Sequence, residues 1–182
     1  MAVDRCPCAA YCEESVTTEP IAVRRLRPDE AAAFREIRLE ALRSSPESFG
    51  ASFEVEEAKP LEWFAERLSS FEVFGACRGG DLLGVAGFGT CSGPKLAHKG
   101  FLWTMFVRPH ARRRGVGRRL VEAVIERAGR SVEVLLLTVT NSNTPARRLY
   151  VGLGFDEYGI ERRGLKVDGR YYDEVLMAKD LA

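Results

Sequence analysis

Between Arg108 and Arg119 the chain carries six arginines (Arg108, Arg112, Arg113, Arg114, Arg118 and Arg119) and no acidic residue. Gly115 and Gly117 interrupt this run just before an apolar periodicity begins. A helix start has unpaired N–H groups and a partial positive charge, so arginines there are unfavourable by roughly 0.3 kcal/mol or more each. They make sense if an anion sits at that end. Glycines present no side chain to block close approach, so backbone N–H groups can wrap a phosphate. The spacing is not G-x-x-x-x-G-K-S/T. It is not G-x-G-x-x-G either, because Leu120 stands where the third glycine would fall. These residues therefore specify an anion cradle without naming the anion. The alternative is a solvated basic helix start whose glycines only tighten the turn.

A strand and a helix must hold that turn. Lys95 to Val107 is an apolar, aromatic-rich run ending before Pro109, and Gly115 to Ala128 places Val116, Leu120, Val121, Val124, Ile125 and Ala128 on one helical face. Upstream, Ile21–Arg25 alternates as a first strand. A helix starts near Pro28-Asp29-Glu30, with Ala32, Phe34, Ile37, Leu39 and Leu42 as its stripe, and stops at Pro46. A second helix is expected from Leu61 to Leu68. Phe71–Arg78 and Leu82–Thr90 flank Gly79-Gly80-Asp81 as a hairpin. Val132–Val139 is a nearly continuous Val/Leu run, the pattern of a strand buried on both faces. Thr144–Leu153 reads as a short helix stopped by Gly154. Tyr158–Lys166 and Tyr171–Lys179 flank the turn pair Asp168-Gly169. Together these predict one α/β domain over 20–182 after a flexible extension, 1–19. Its mixed, mostly antiparallel sheet has six to seven strands and is flanked by about four helices.

Two spaced patterns resemble a known family. Arg112-x-x-Gly115-x-Gly117, following a strand that ends Met105-Phe106-Val107, is similar to the Q/R-x-x-G-x-G/A motif of the GNAT superfamily of N-acetyltransferases. Asn143-x-x-Ala146-x-x-Leu149-Tyr150, followed by Gly154-Phe155, resembles its second element at the expected distance. The resemblance runs from about Ile21 to Leu181. It departs at Arg113, where many members have glycine. It implies acetyl-CoA as cosubstrate, with backbone amides across Arg113, Arg114, Gly115, Val116, Gly117 and Arg118 holding the pyrophosphate. Backbone groups of Met105, Phe106 and Val107 would pair with the pantetheine arm like an added strand, in a gap between that strand and Val132–Val139. Asn143, an N-cap by type, would also touch the arm beside Ala146.

Acetyl transfer to an amine needs a deprotonated nucleophile, since a free alkylamine has a pKa of about 10.4. It also needs a stabilised oxyanion and a protonated leaving thiol. By resemblance the acid is Tyr150 and the oxyanion donor is a main-chain N–H around Phe106. The glutamate that some members carry early on the strand is Phe101 here, so the base stays open among Glu54, Glu56, Glu57, His98 and a water chain. The acids at Glu54–Glu57 would suit a cationic amine. Trp63, Phe64, Trp103 and the last hairpin are candidates for the acceptor side. The implied acceptor is a primary amine of a small molecule or a polypeptide.

The 182-residue chain has a formal net charge of +1. That near-neutrality, with no aromatics interleaved among the arginines, argues against a nucleic-acid partner. No apolar run reaches the roughly 20 residues that span a bilayer, and no signal-peptide pattern opens the chain, so the expectation is a cytoplasmic protein without membrane partner, monomer or homodimer. Five cysteines form no disulfide framework. Cys6, Cys8 and Cys12 lack a fourth ligand, so no metal site is expected, and Cys77 and Cys91 read as packing residues. A non-catalytic acyl-CoA sensor is the competing function.

Overall fold

The computed structural model describes residues 19–182. Residues 1–18, with Cys6, Cys8 and Cys12, lie outside the described residues. A seven-stranded sheet has the order β1-β2-β3-β4-β5-β7-β6, with β1 Ala22–Arg25, β2 Glu72–Arg78, β3 Asp81–Thr90, β4 Lys99–Val107, β5 Val134–Thr140, β6 Asp156–Val167 and β7 Arg170–Asp180. Every neighbouring pair is antiparallel except β4 and β5. Five α-helices accompany it: α1 Ala31–Ser44, α2 Phe53–Glu57, α3 Leu61–Ser70, α4 Val116–Ala128 and α5 Thr144–Val151. The additional helix is α2, a single turn and a half too short for apolar periodicity to announce it.

Alternation along each strand divides the core in two. On one face α4 lays Val116, Leu120, Val121 and Val124 over Ala86, Phe88, Leu102, Leu135 and Leu137. On the other, α1 and α3 pack Phe34, Ile37, Phe64 and Leu68 against Val73, Val85 and Phe106. Each such fully buried side chain contributes about 1.5–3 kcal/mol. The α1 stripe runs Ala31, Phe34, Ile37, Arg38, Ala41 and Leu42, so Ala32 and Leu39 fall off its buried line.

The second layer is incomplete. α1 and α3 cover the β1–β4 half of the sheet, and the turn Pro46–Ser48 reaches β5, where the Glu47 carbonyl accepts a 2.5 Å hydrogen bond from Thr140. Hence β5 is not buried on both faces as its composition suggests. Leu135, Leu137 and Val139 are enclosed, Val134 and Leu136 are half-buried, and Thr138 is exposed. The terminal hairpin turns through Asp168 (φ 48) and Gly169 (φ 78), as the turn pair predicts.

Candidate active site

β4 and β5 pair only at Lys99–Val134, Gly100–Leu135 and Phe101–Leu136. Beyond those positions they diverge, while β4 stays paired with β3 as far as Val107. The register with β3 slips by one residue between Val85↔Phe106 and Gly87↔Trp103, and in that bulge Thr104 takes φ 51. A β-branched residue there is strained and persists only if its surroundings hold it. They do so through a buried network. Arg38 Nη1 donates to Thr104 Oγ1 at 3.0 Å, while its Nε and Nη2 donate to both carboxylate oxygens of Glu56 at 2.9 and 2.8 Å. Arg38 and Glu56 are 5% and 4% exposed.

The arginine-glycine turn stands at the open end of the gap. The N–H groups of residues 113 to 118 donate to no protein acceptor among the described residues; the first α4 bond is Arg119 N–H to the Gly115 carbonyl. Gly115 has φ 76, and a Cβ there would meet nothing within 4 Å, so the space before it is open. Gly117 serves differently. Its Cβ would lie 3.1 Å from Met105 Cε and 3.4 Å from Leu149, so this glycine lets the start of α4 press against β4 and α5. Arg113 sits at φ 60, a backbone state that explains glycine at this position elsewhere.

The arginines divide by environment. Arg108 forms ion pairs with Glu36 and Glu40, Arg118 with Glu122, and Arg119 donates to the Ile21 carbonyl. Arg112 folds back onto the Val107 carbonyl at 2.9 Å. Arg113 and Arg114 are exposed and make no side-chain bond among the described residues. Open space, unpaired amides and uncommitted cations fit a pyrophosphate.

On the α4 side of the gap, α5 begins with Asn143 Oδ1 accepting from Ala146 N–H at 3.3 Å, the N-cap its type predicts. One helical face further, Tyr150 is 5% exposed and packs edge-to-face on Phe155, ring centroids 5.8 Å apart. Its hydroxyl has no hydrogen-bond partner among the described residues, and burial pushes its pKa well above the ordinary tyrosine value.

The base candidates scatter. Glu56 is consumed by Arg38. Glu57 is exposed 3.9 Å from Arg43, and Glu54 is exposed. His98 is exposed at the paired end, where its carbonyl accepts from Glu133 and Val134, about 20 Å along the strand from Met105. A carboxylate that the sequence does not single out stands nearer. Glu174 lies opposite Thr140 in the β5–β7 register, with its side chain on the face away from α4. It lies beside the Thr138 hydroxyl, and a Cβ on Gly164 would come within 2.9 Å of its Oε2. Burial raises its pKa, Thr138 pulls it back, and Glu161 raises it again. No cation pairs with it among the described residues. Its signal is tertiary: Glu174 is one of several charges in a hairpin, distinguished only by what β5 and β6 bring to it.

Neither described thiol faces the gap. Cys77 is on β2, where burial pushes its pKa up, and Cys91 follows β3 and bonds the Lys99 carbonyl at the paired end.

Known proteins are similar to this chain in sequence and in fold. The model of the acetyltransferase (GNAT) family matches residues 33–155. The chain is 29% identical over 164 residues to N-alpha-acetyltransferase RimI of Mycobacterium tuberculosis, covering 90% of this chain and 94% of that one. Over 78 residues it is 40% identical to the ribosomal protein bS18-alanine N-acetyltransferase of Salmonella typhimurium, a stretch of 42% of this chain and 53% of that enzyme. Its fold superposes with a TM-score of 0.76 on yncA of Salmonella typhimurium, solved with its cofactor acetyl-CoA, at 22% identity over 90% of this chain and 95% of that one. The chain belongs to the GNAT acetyltransferase family and is an acetyl-CoA-dependent N-acetyltransferase.

Proposed function

We propose that this enzyme transfers the acetyl group directly to a primary amine, and that the acceptor is the α-amine of a polypeptide. The observation that carries the reading is the parting of β4 from β5 beneath the unpaired amides of residues 113–118. Those amides, with Arg112, Arg113, Arg114 and Arg118 around them, would hold the pyrophosphate. The free edge of Met105, Phe106 and Val107 would pair with the pantetheine arm, beside Asn143 and Ala146. A polypeptide acceptor is supported by the similarity to RimI along nine-tenths of the chain and by the half-bare sheet face, across which an extended chain has room to lie.

The chemistry then divides across the sheet. The amine nitrogen attacks the thioester carbon from the face away from α4, and its proton passes to Glu174, directly or through one water. A carboxylate whose pKa is raised toward the working range is a better base than an ordinary one. A main-chain N–H beside Phe106 donates to the developing oxyanion, fixed by the bulge before the substrate arrives. As the carbon–sulfur bond breaks, Tyr150 gives its proton to the sulfur; its raised pKa keeps that proton in place across the neutral range.

The test is acetyl-CoA turnover on a library of peptides with free N-termini, read by mass spectrometry, with Tyr150→Phe as control. Expected are acetylated N-termini and, in Y150F, kcat down by about 100-fold or more at nearly unchanged KM. Tight acetyl-CoA binding with no transfer to peptides or small amines would leave the non-catalytic sensor in its place.

A further inference from the structure

Arg67, on α3, lies against two indoles. Its guanidinium carbon is 4.6 Å from the Trp63 ring centroid and 4.8 Å from that of Trp103, with Phe71 closing a third side at 5.6 Å. Its Nε is shut off from solvent and meets no acceptor, and the neighbouring Trp103 Nε1 is buried and unpaired as well. No carboxylate among the described residues forms an ion pair with it. Glu56 acts on it from nearby but is already bound through both oxygens to Arg38, whose own charge opposes that of Arg67. The residue as a whole is only half-buried, so the outer edge of the guanidinium reaches the surface.

This is a charge oriented and left unanswered. The surrounding rings hold the guanidinium by cation–π attraction, and its donors meet no acceptor among the described residues. A flat fork of N–H groups beside two indoles matches a planar carboxylate, which accepts two parallel bonds. The location ties the group to the reaction. Trp103 directly precedes Thr104 in the β4 bulge, and both lie on the face from which the amine would approach.

We infer that Arg67, framed by Trp63 and Trp103, is the subsite for a carboxylate on the amine acceptor, so the preferred acceptors are polypeptides with an acidic residue close to the α-amine. The inference rests on the proposed transfer to an amine on that face. It reverses the expectation from Glu54–Glu57 that a cationic acceptor would be favoured.

The experiment compares kcat/KM for peptides that differ by glutamate, glutamine or lysine at the first, second or third position. Free glutamate and its α-amide form a separate arm. The wild-type enzyme should prefer glutamate at one position by about tenfold to a hundredfold over glutamine, through KM, with lysine poorer still. Arg67→Met should erase the preference while leaving KM for acetyl-CoA unchanged, and Arg67→Lys should keep part of it. Equal use of the glutamate and glutamine peptides by the wild type would overturn the inference, whether or not R67M folds. So would a preference that survives in R67M. Turnover of free glutamate over its α-amide, with no peptide acetylated, would uphold the Arg67 subsite and overturn the polypeptide reading.

Discussion

Replacing Arg38 by methionine should separate the stability of this enzyme from its catalysis. Arg38 and Glu56 are nearly inaccessible, and the side chain of Arg38 also holds Thr104 at φ 51. Arg38→Met keeps most of the side-chain volume but leaves the Glu56 carboxylate without its cation, a loss of about 3–5 kcal/mol. For a domain of this size each kcal/mol moves Tm by about 2–4 °C, so the variant should melt about 6–20 °C lower. Removing the stranded charge as well, in R38M/E56L, should return most of that loss, because an apolar pair of similar volume is often neutral or better than a buried ion pair. The bulge does not recover with it. Thr104 carries strain on the order of 1–3 kcal/mol that Arg38 Nη1 no longer offsets, so the strand relaxes toward regular pairing and the N–H groups beyond it turn away. A displacement of about 1 Å at reacting atoms costs roughly 100-fold in rate. Thermal melts followed by circular dichroism, with initial rates of thiol release at saturating acetyl-CoA, read both quantities. A double variant that regains Tm and rate together would refute the argument, because the bulge would then stand without Arg38.

Other perturbations bear on the cradle and the base. Gly115→Ala places a methyl group at φ 76 in open space; it should cost about 1–2 kcal/mol of stability and raise KM for acetyl-CoA at least tenfold, and an unchanged KM would remove Gly115 from the cradle. Arg113→Gly relieves a left-handed arginine but loosens the unfolded chain by a similar amount, so Tm should hardly move while KM for acetyl-CoA rises a few-fold from the lost charge; a KM equal to wild type would show that the charge is idle. Glu174→Gln tests the base by opposing signs. Because its folded pKa is raised, the contribution of Glu174 to stability is largest below the unfolded value of about 4.3 and is lost as pH rises through the folded value. The glutamine variant should therefore be at least as stable as wild type at pH 7, with the advantage fading in acid, while kcat/KM falls about 100- to 10,000-fold and loses its acid limb; a destabilised but active variant would make Glu174 structural.

What the sequence reveals here depends on how far apart the cooperating residues lie. The cradle is legible because a dozen consecutive residues make it: glycines, arginines and a helix start need no partner to be recognised, and Asn143 announces its cap three residues from the amide it binds. The bulge is illegible because its cause is 66 residues away: nothing in Leu102-Trp103-Thr104-Met105 indicates that a threonine will be left-handed until Arg38 is brought beneath it. Glu56 illustrates the same limit. Its type and neighbourhood suggest a base, and only the arrival of Arg38 shows that both oxygens are already taken. Composition misleads at β5 for a related reason. Val and Leu report that a residue avoids water somewhere on the path of folding, but which face is covered depends on where α1 and α3 end.

That uncovered face gives the site its logic. Tyr150 packs with Phe155, Val175 and Met177 on the α4 side of the sheet, whereas Glu174, the residue before Val175, points to the other side. In an unbroken sheet the two could not serve one reaction, since paired backbone would stand between them. The parting of β4 from β5 removes that backbone over a few residues, and the two faces communicate there. In the proposed reaction a thioester lying in the gap would present its sulfur to one side and its carbonyl carbon to the other, so Tyr150 would meet the leaving group and Glu174 the incoming amine without either changing place. The proposed direct transfer needs no acyl-carrying thiol in this opening, and the two described cysteines lie on β2 and after β3. In the proposed reaction the parallel pair of an otherwise antiparallel sheet acquires a use: strands that pair for three residues and then part would leave the opening through which acid and base act on one thioester.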